Sequence, residues 1–457
     1  MSSLPGLLPM GPSPGIFKMA LYSMKKNKQK IILSITIALS VLGLIIQCGC
    51  STRNDSADGK NVISYYTWTG SYGIKLLKEN IAQFEKENPT IKVNLINSPE
   101  DAATGFVKLK AMLLSGTSPD VVVLYDPLFH VFSTKDVFLD LNTYIAKDST
   151  FNKDDYFPRA YQFCQYKGKQ LAIPRGQNTY ILYYNKDIFD KAGMKYPDDT
   201  WDWKVFLNAC QKLTKDTNGD GRPDQYGFRY GGDPSAFIWQ NGGDYFNADK
   251  TKCTLDKPEV VEALQFITDL INKYKVAPQA SQMKDQDVFQ AFMSGKVAMT
   301  YGGRFYSRVF QDIKSFKWDV APPPHGKIRA TQCDYTLFSI AKNTKHAEAA
   351  WKLVSYLSGP EIQKRASKTL DDIPVLKSVA ESPDFLDPSL PPANVKEFIN
   401  AINYSQCVSE RGMDAEMLDK ITSQLDMVNI NAMTPKDAGK KMTEEVNQIL
   451  KERESKK

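Results

Sequence analysis

The sequence predicts an α/β protein, a mostly parallel sheet with helices on both sides. Three observations predict it: strand-length runs that are apolar on both faces, amphipathic helices between them, and roughly four hundred residues beyond a leader, enough for two domains. Val62 to Trp68 reads as the first strand. The helix after it has Ile74, Leu77, Ile81 and Phe84 on one face and stops at Pro89. Ile91 to Ile96 is a second strand, Phe106 to Leu114 a second helix, and Val121 to Leu124 a strand apolar on both faces.

The alternation continues to the end of the chain without an internal repeat. Leu182 to Tyr184, Val297 to Tyr301 and Thr336 to Ile340 read as strands. Helical stripes are formed by Trp203, Phe206, Leu207, Cys210 and Leu213, by Val261, Leu264, Ile267, Ile271 and Tyr274, and by Ala350, Trp351, Val354 and Leu357. Thr434-Pro435 opens the last helix, whose apolar face is Met442, Val446, Ile449 and Leu450. All of these stripes read as core.

The stretch from Met24 to Cys50 is an export signal in form. Lysines at its start are followed by the uncharged, mostly apolar run Ile31 to Ile46, then Gln47-Cys48-Gly49-Cys50-Ser51. Met24, followed by Lys25-Lys26, reads as the true start, because residues 1 to 23 with their four prolines do not resemble such a leader. Gly49 before Cys50 resembles the cut site of a bacterial lipoprotein, whose cysteine is acylated and becomes the new N-terminus. The alternative is an uncleaved anchor, since the uncharged run approaches the ~20 residues that span a bilayer. Residues 1–49 are then the leader and 50–60 a polar, lipidated tether, and the body is expected outside the cytoplasm, anchored to the cell membrane.

Charge and cysteine usage narrow the function. Of 58 basic and 52 acidic residues, Lys18, Lys25, Lys26, Lys28 and Lys30 lie in the leader with no acid, so the body is nearly neutral and no nucleic-acid surface is expected. Beyond Cys50 the cysteines are Cys164, Cys210, Cys253, Cys333 and Cys407. Their odd number and wide spacing argue against a disulfide framework or a zinc site and for small buried hydrophobes. The one Gly-x-Ser-x-Gly string, Gly11 to Gly15, lies in the leader, and no His-Glu-x-x-His, P-loop or Cys-x-x-Cys motif occurs, so no catalytic residue is assigned. A glycoside hydrolase needs only two carboxylates about 5 to 10 Å apart, and it stands as the rival class.

The strings SGTSPDVVVLY (115 to 125), YYNKDIFDKAGM (183 to 194), DTWDWKVFLNACQKLT (199 to 214) and DTNGDGRPDQYGF (216 to 228) follow one another in a telling order. With AFMSGKVAMTYGG (291 to 303), KWDVAPPP (317 to 324) and FSIAKNTKHAEAAWKLVSYLSGPE (338 to 361), the chain resembles the family 1 extracellular solute-binding proteins of ABC importers, the maltose-binding-protein-like group. The resemblance implies a two-lobed type II periplasmic-binding fold, with lobe 1 at 61–178 plus 325–372 and lobe 2 at 179–324 plus 373–457. The chain would cross near Gln177 to Tyr180, within 322 to 336 and near Ile373 to Leu376. It also implies a ligand held in the cleft, a carbohydrate and by the same resemblance an oligosaccharide, delivered to the transmembrane subunits of an ABC permease by a monomeric binder. Polyamines, peptides and small anions are the lesser alternatives.

A sugar cleft combines flat aromatics, which cover the apolar C–H faces of pyranose rings, with carboxylates, amides or guanidinium groups that hold the hydroxyl rim. Such groups are expected beyond the carboxyl ends of strands. Trp68 beside Gly70, Tyr125-Asp126 before Pro127, and Arg175 after Ile173-Pro174 meet that condition. So do Trp239 and Asp244-Tyr245 around Gly242-Gly243, and Arg304-Phe305 after Gly302-Gly303. Relatives commonly have an aromatic directly after this glycine turn. Arg304 in its place suggests an acidic or phosphorylated saccharide, with Trp68 and Arg304-Phe305 as opposite jaws.

Asp216, Asn218, Asp220, Arg222 and Asp224 occupy positions 1, 3, 5, 7 and 9 of an EF-hand-like loop with Gly221 at position 6, so a structural Ca²⁺ is a candidate although none is required. Position 12 is Gly227 instead of glutamate, and a solvated Asx-rich turn is the competing reading.

Overall fold

The computed structural model describes residues 61–455 apart from 69–70, 99–101, 232, 280–281, 283–285 and 414. The leader, the tether, Met24 and Cys50 lie outside the described residues. Among the described residues no helix is long and apolar enough to cross a membrane.

The first lobe begins with β1 (Asn61–Thr67), α1 (Ser71–Glu87), β2 (Ile91–Asn97), α2 (Ala102–Ser115) and β3 (Val121–Tyr125), which runs directly into α3 (Asp126–Ser133). β1 pairs in parallel with both β2 and β3. Ile63, Tyr65, Tyr66 and all of Val121 to Leu124 are buried, as expected for strands covered on both faces. Ile81 and Phe84 of α1 pack into the same core. The sheet is completed by later residues: β4 (Ile173–Thr179) and β9 (Thr331–Ile340) pair antiparallel, β9 pairs antiparallel with β3, and β10 (Ser405–Cys407) adds to β9 in parallel.

The second lobe is a four-stranded sheet in the order β8 (Trp318–Ala321), β5 (Ile181–Asn185), β7 (Val297–Gly302), β6 (Tyr226–Arg229). Only β6 and β7 are parallel, because β5 and β8 are continuations of chain entering from and returning to the first lobe. β5 alternates across the sheet: Leu182 and Tyr184 face a core shared with α5 (Trp203–Leu213) and α6 (Pro258–Asn272), while Ile181 and Tyr183 face Phe292, Phe310, Trp318 and Phe398. Asp202 caps α5, its carboxylate accepting the Val205 N–H at 2.7 Å. The buried stripe of α6 runs through Val260, one residue before the Val261 that periodicity suggests. Thr434 caps the last helix, α11 (Pro435–Glu454), as its sequence indicates.

The chain passes from lobe to lobe between Thr179 and Ile181, again between Ala321 and Thr331, and again in the segment that carries Ile373. It then weaves further than the sequence indicates. Phe385, Val395 and Phe398 pack with the second lobe, Ser405–Cys407 returns to the first sheet, and Met413 with α10 (Ala415–Asn429) lies back in the second. Residues 373–457 therefore do not all belong to lobe 2: Val375, Leu376, Val379 and Cys407 are core of lobe 1.

Candidate functional site

Three crossing segments meet at Asp372. Its Oδ1 accepts Asn178 Nδ2 at 2.8 Å, and its Oδ2 accepts Thr336 Oγ1 and lies 3.5 Å from Arg175 Nη1. A Cβ at Gly176 would come 2.5 Å from this carboxylate, so only glycine lets the third crossing approach β4 so closely. Burial raises the Asp372 carboxyl, with Arg175 opposing. Its neighbour Asp371 is raised to about 6 by burial and by Asp372, although Arg308 Nε lies 2.8 Å away. Arg175, Asp371, Asp372 and Asn80 line a cavity of about 80 Å³ beside Tyr65.

Between the lobes the first two crossings contribute Tyr180 and Asp334. Tyr180 Oη donates to Asp334 Oδ2 at 2.9 Å. Asp334 is raised well above the carboxylate range, first by burial and then by the charges of Asp126, Asp372 and Asp233. Asp233 comes from the second lobe, so carboxylates of both lobes converge on the crossing. Tyr180 stands edge-on to Phe305, centroids 6.2 Å apart, and beside Tyr301, whose hydroxyl meets Thr331 on β9. A Cβ at Gly303 would come 2.6 Å from the Phe305 ring, which explains the glycine before this turn. On the first lobe Trp68 and Tyr125 form an edge-to-face pair at 6.5 Å. The Tyr125 phenol is raised by burial and then by Asp126 and by Asp419, the latter on α10 of the opposite lobe.

Of the residues singled out by sequence, Trp68, Tyr125, Arg175 and Phe305 stand half-buried at the crossings or strand ends. Asp126 does not: it is buried and fixes β10 to the first lobe, accepting Ser409 Oγ at 2.6 Å, Cys407 Sγ at 3.0 Å and Tyr335 N at 3.4 Å. Trp239 and Tyr245 are 1% and 2% exposed in the second core. Asp244 turns back on them, accepting Trp239 Nε1 at 3.2 Å and the Tyr245 N–H at 2.8 Å. The helix Ser235–Gln240 is buried along its whole length, so the glycine turn after it presents none of these rings to a cleft.

Arg304 is also corrected. It is 2% exposed, with its guanidinium over the rings of Phe385 and Phe398 at 5.3 and 5.5 Å and its Nε and Nη1 without a hydrogen-bond partner. Burial lowers its pKa to about 10. It belongs to the packing behind the second sheet, and the acidic-sugar reading that rested on it falls away. Sequence reasoning missed Tyr180, Asp334, Asp233 and Asp372. The signal was available for the first two, since both lie in segments marked as crossings.

The calcium candidate is a turn closed on its own backbone. Asp216 accepts the N–H groups of Gly219 and Gly221 at 2.7 Å, Asn218 accepts that of Asp220 at 2.9 Å, and Asp220 accepts that of Arg222 at 2.8 Å. Asp224 accepts Thr217 Oγ1 at 2.7 Å. Among the described residues no group of three or more carboxylate, histidine or cysteine side chains is placed to hold a metal ion.

Two α/β lobes joined by several crossings, with aromatics and carboxylates of both lobes gathered where they meet, define a two-lobed ligand-binding protein. The chain belongs to the bacterial extracellular solute-binding protein family, whose model matches residues 70–364. It is 26% identical over 349 residues to the arabinooligosaccharide-binding protein of Bacillus subtilis, covering 73% of this chain and 77% of that one. The multiple sugar-binding protein of Streptococcus mutans is 27% identical over 351 residues, covering 73% and 79%. Among solved structures, an ABC substrate-binding protein from Listeria monocytogenes in complex with cycloalternan superposes with a TM-score of 0.77 at 31% identity, covering 86% of this chain and 99% of that one. The family consists of binding proteins, not enzymes, and the hydrolase alternative is set aside.

Proposed function

We propose that the protein binds a neutral oligosaccharide between its lobes and delivers it to the permease of an ABC importer, working as a monomer tethered through an acylated Cys50. The observations that carry the ligand class are the Trp68–Tyr125 pair at the strand ends of the first lobe and, at the crossing, Phe305 edge-on to the Tyr180 that bonds Asp334. Rings of this kind cover sugar faces, and the phenol and carboxylate hold hydroxyls. The carboxylates around the crossing favour hydroxyl-rich ligands over anions, and Arg175 and Arg308 already face Asp372 and Asp371. The similar arabinooligosaccharide-binding protein and the similar structure in complex with cycloalternan point the same way.

Closure follows from the architecture, because a ligand touching both lobes gains contacts that the open state lacks. The test is a thermal-shift screen of neutral gluco- and arabino-oligosaccharides followed by titration calorimetry and small-angle scattering. One-to-one binding with a smaller radius of gyration is expected. Saturable binding of none of them, or the release of reducing ends, would remove this reading. For the anchor, Cys50→Ala should leave an exported, unprocessed precursor, whereas Cys48→Ala still matures and takes up labelled palmitate.

A further inference from the structure

Cys333 on β9 and Cys407 on β10 are register partners in a parallel ladder. Both side chains point into the core of the first lobe, 3% and 0% exposed. Paired residues on neighbouring strands lie about 4.8 Å apart, inside the roughly 4.4–6.8 Å Cα separation that a disulfide spans. All five described cysteines are free and buried, and Cys164, Cys210 and Cys253 have no such strand partner among the described residues. The thiols are also adjacent chemically: Cys333 is among the groups that act on Cys407, after burial, in raising its pKa.

We propose that Cys333 and Cys407 form a disulfide site that locks β10 onto β9. A disulfide of the glutathione type is the oxidant. One cysteine sulfur attacks it as thiolate, giving a mixed disulfide and releasing one thiol; the second sulfur then displaces the remaining half. One S–S bond forms and one breaks, two electrons pass to the oxidant, and the two protons leave on two released thiols. The family's extracellular place is where such bonds persist.

The bond acts where the fold needs it. β10 is three residues long and joins the sheet through β9 alone. It carries Ser409 and Glu410 to Asp126 and Arg159, the contacts that hold this stretch on the first lobe before the chain leaves for α10. Ladder bonds over so short a strand are few, and a covalent cross-link holds the edge without depending on them. Wide sequence spacing hides the pair, since only the fold brings the two strands side by side.

The test uses the full chain, both folded and during refolding, in a buffer of oxidised and reduced glutathione. Alkylation under denaturing conditions should find two of the five cysteines Cys164, Cys210, Cys253, Cys333 and Cys407 blocked. Peptide mapping should recover the 333 and 407 peptides joined with the loss of two hydrogens. The oxidised protein should melt higher, and reductant should reverse the gain. Cys333→Ser abolishes both effects, and Cys164→Ser leaves them in place. If Cys333 and Cys407 stay fully alkylated after folded-state oxidation and after redox refolding, or if either pairs with a different cysteine, the proposal is wrong.

Discussion

The hydroxyl of Tyr180 donates to Asp334 across 2.9 Å, tying the first lobe-to-lobe crossing to the second at the place where carboxylates of both lobes converge. The pair can release itself to a ligand without leaving buried polar groups unmatched, since sugar hydroxyls both donate and accept. Asp334→Ala is therefore expected to weaken oligosaccharide binding by about 1–3 kcal/mol, the range for leaving a buried hydrogen-bond partner unsatisfied. Trp68→Ala should cost about 1–3 kcal/mol through lost ring contact. Calorimetry on a sugar from the screen reads both, and unchanged affinity in the two variants would move the site elsewhere.

Trp239 and Arg304 should separate from that behaviour. Trp239→Ala opens a cavity in the second core and should destabilise the fold by about 3–5 kcal/mol in denaturant titration. Arg304→Met removes a buried guanidinium with unpartnered nitrogens and keeps its volume, so stability should be unchanged or higher. Sugar affinity should stay within twofold of the parent for Arg304→Met. A large loss of affinity with an intact melting curve would return Arg304 to the cleft.

Asp371 gives a pH signature. Its carboxyl is raised from 3.8 to about 6 in the folded protein, so its contribution to stability is full below pH 3.8 and is lost as pH rises through about 6. Asp371→Asn keeps the side chain neutral throughout. Parent and variant should unfold alike near pH 3.5, and at pH 7 the variant should be more stable, by up to about 3 kcal/mol. A variant less stable than the parent at pH 7 would show that the Arg308 pair outweighs burial.

For the Asp216–Asp224 turn, the backbone bonds already occupy its carboxylates, and no dependence on Ca²⁺ is expected. Melting curves in calcium and in chelator should coincide. A calcium-dependent rise that Asp220→Ala abolishes would instead assign the loop to an ion.

Much of this architecture was legible because it is written in local periodicity. The β1 and β3 runs and the α1 stripe carry their own burial pattern, and Trp68 and Tyr125 are read from strand ends alone. Trp239 and Arg304 were misread because their surroundings are supplied from afar: α6 beyond Trp239, and Phe385 and Phe398 for Arg304. A polar-looking turn after glycine pairs says nothing about what later folds over it. β10 is too short for any repeat to show, and its partner lies some seventy residues upstream in the ladder with Cys333.

That late strand has a consequence for biogenesis. The first lobe cannot close its sheet until residues 331–340 and 405–407 have arrived, by which time the second lobe's strands are all present. Neither lobe is a contiguous piece of chain that finishes before the other begins. Maturation therefore depends on contacts between distant residues, the kind that form slowly and leave sheet edges open in the interval. A chain emerging outside the cytoplasm is most vulnerable to proteases and mispairing just before Cys407 takes its place.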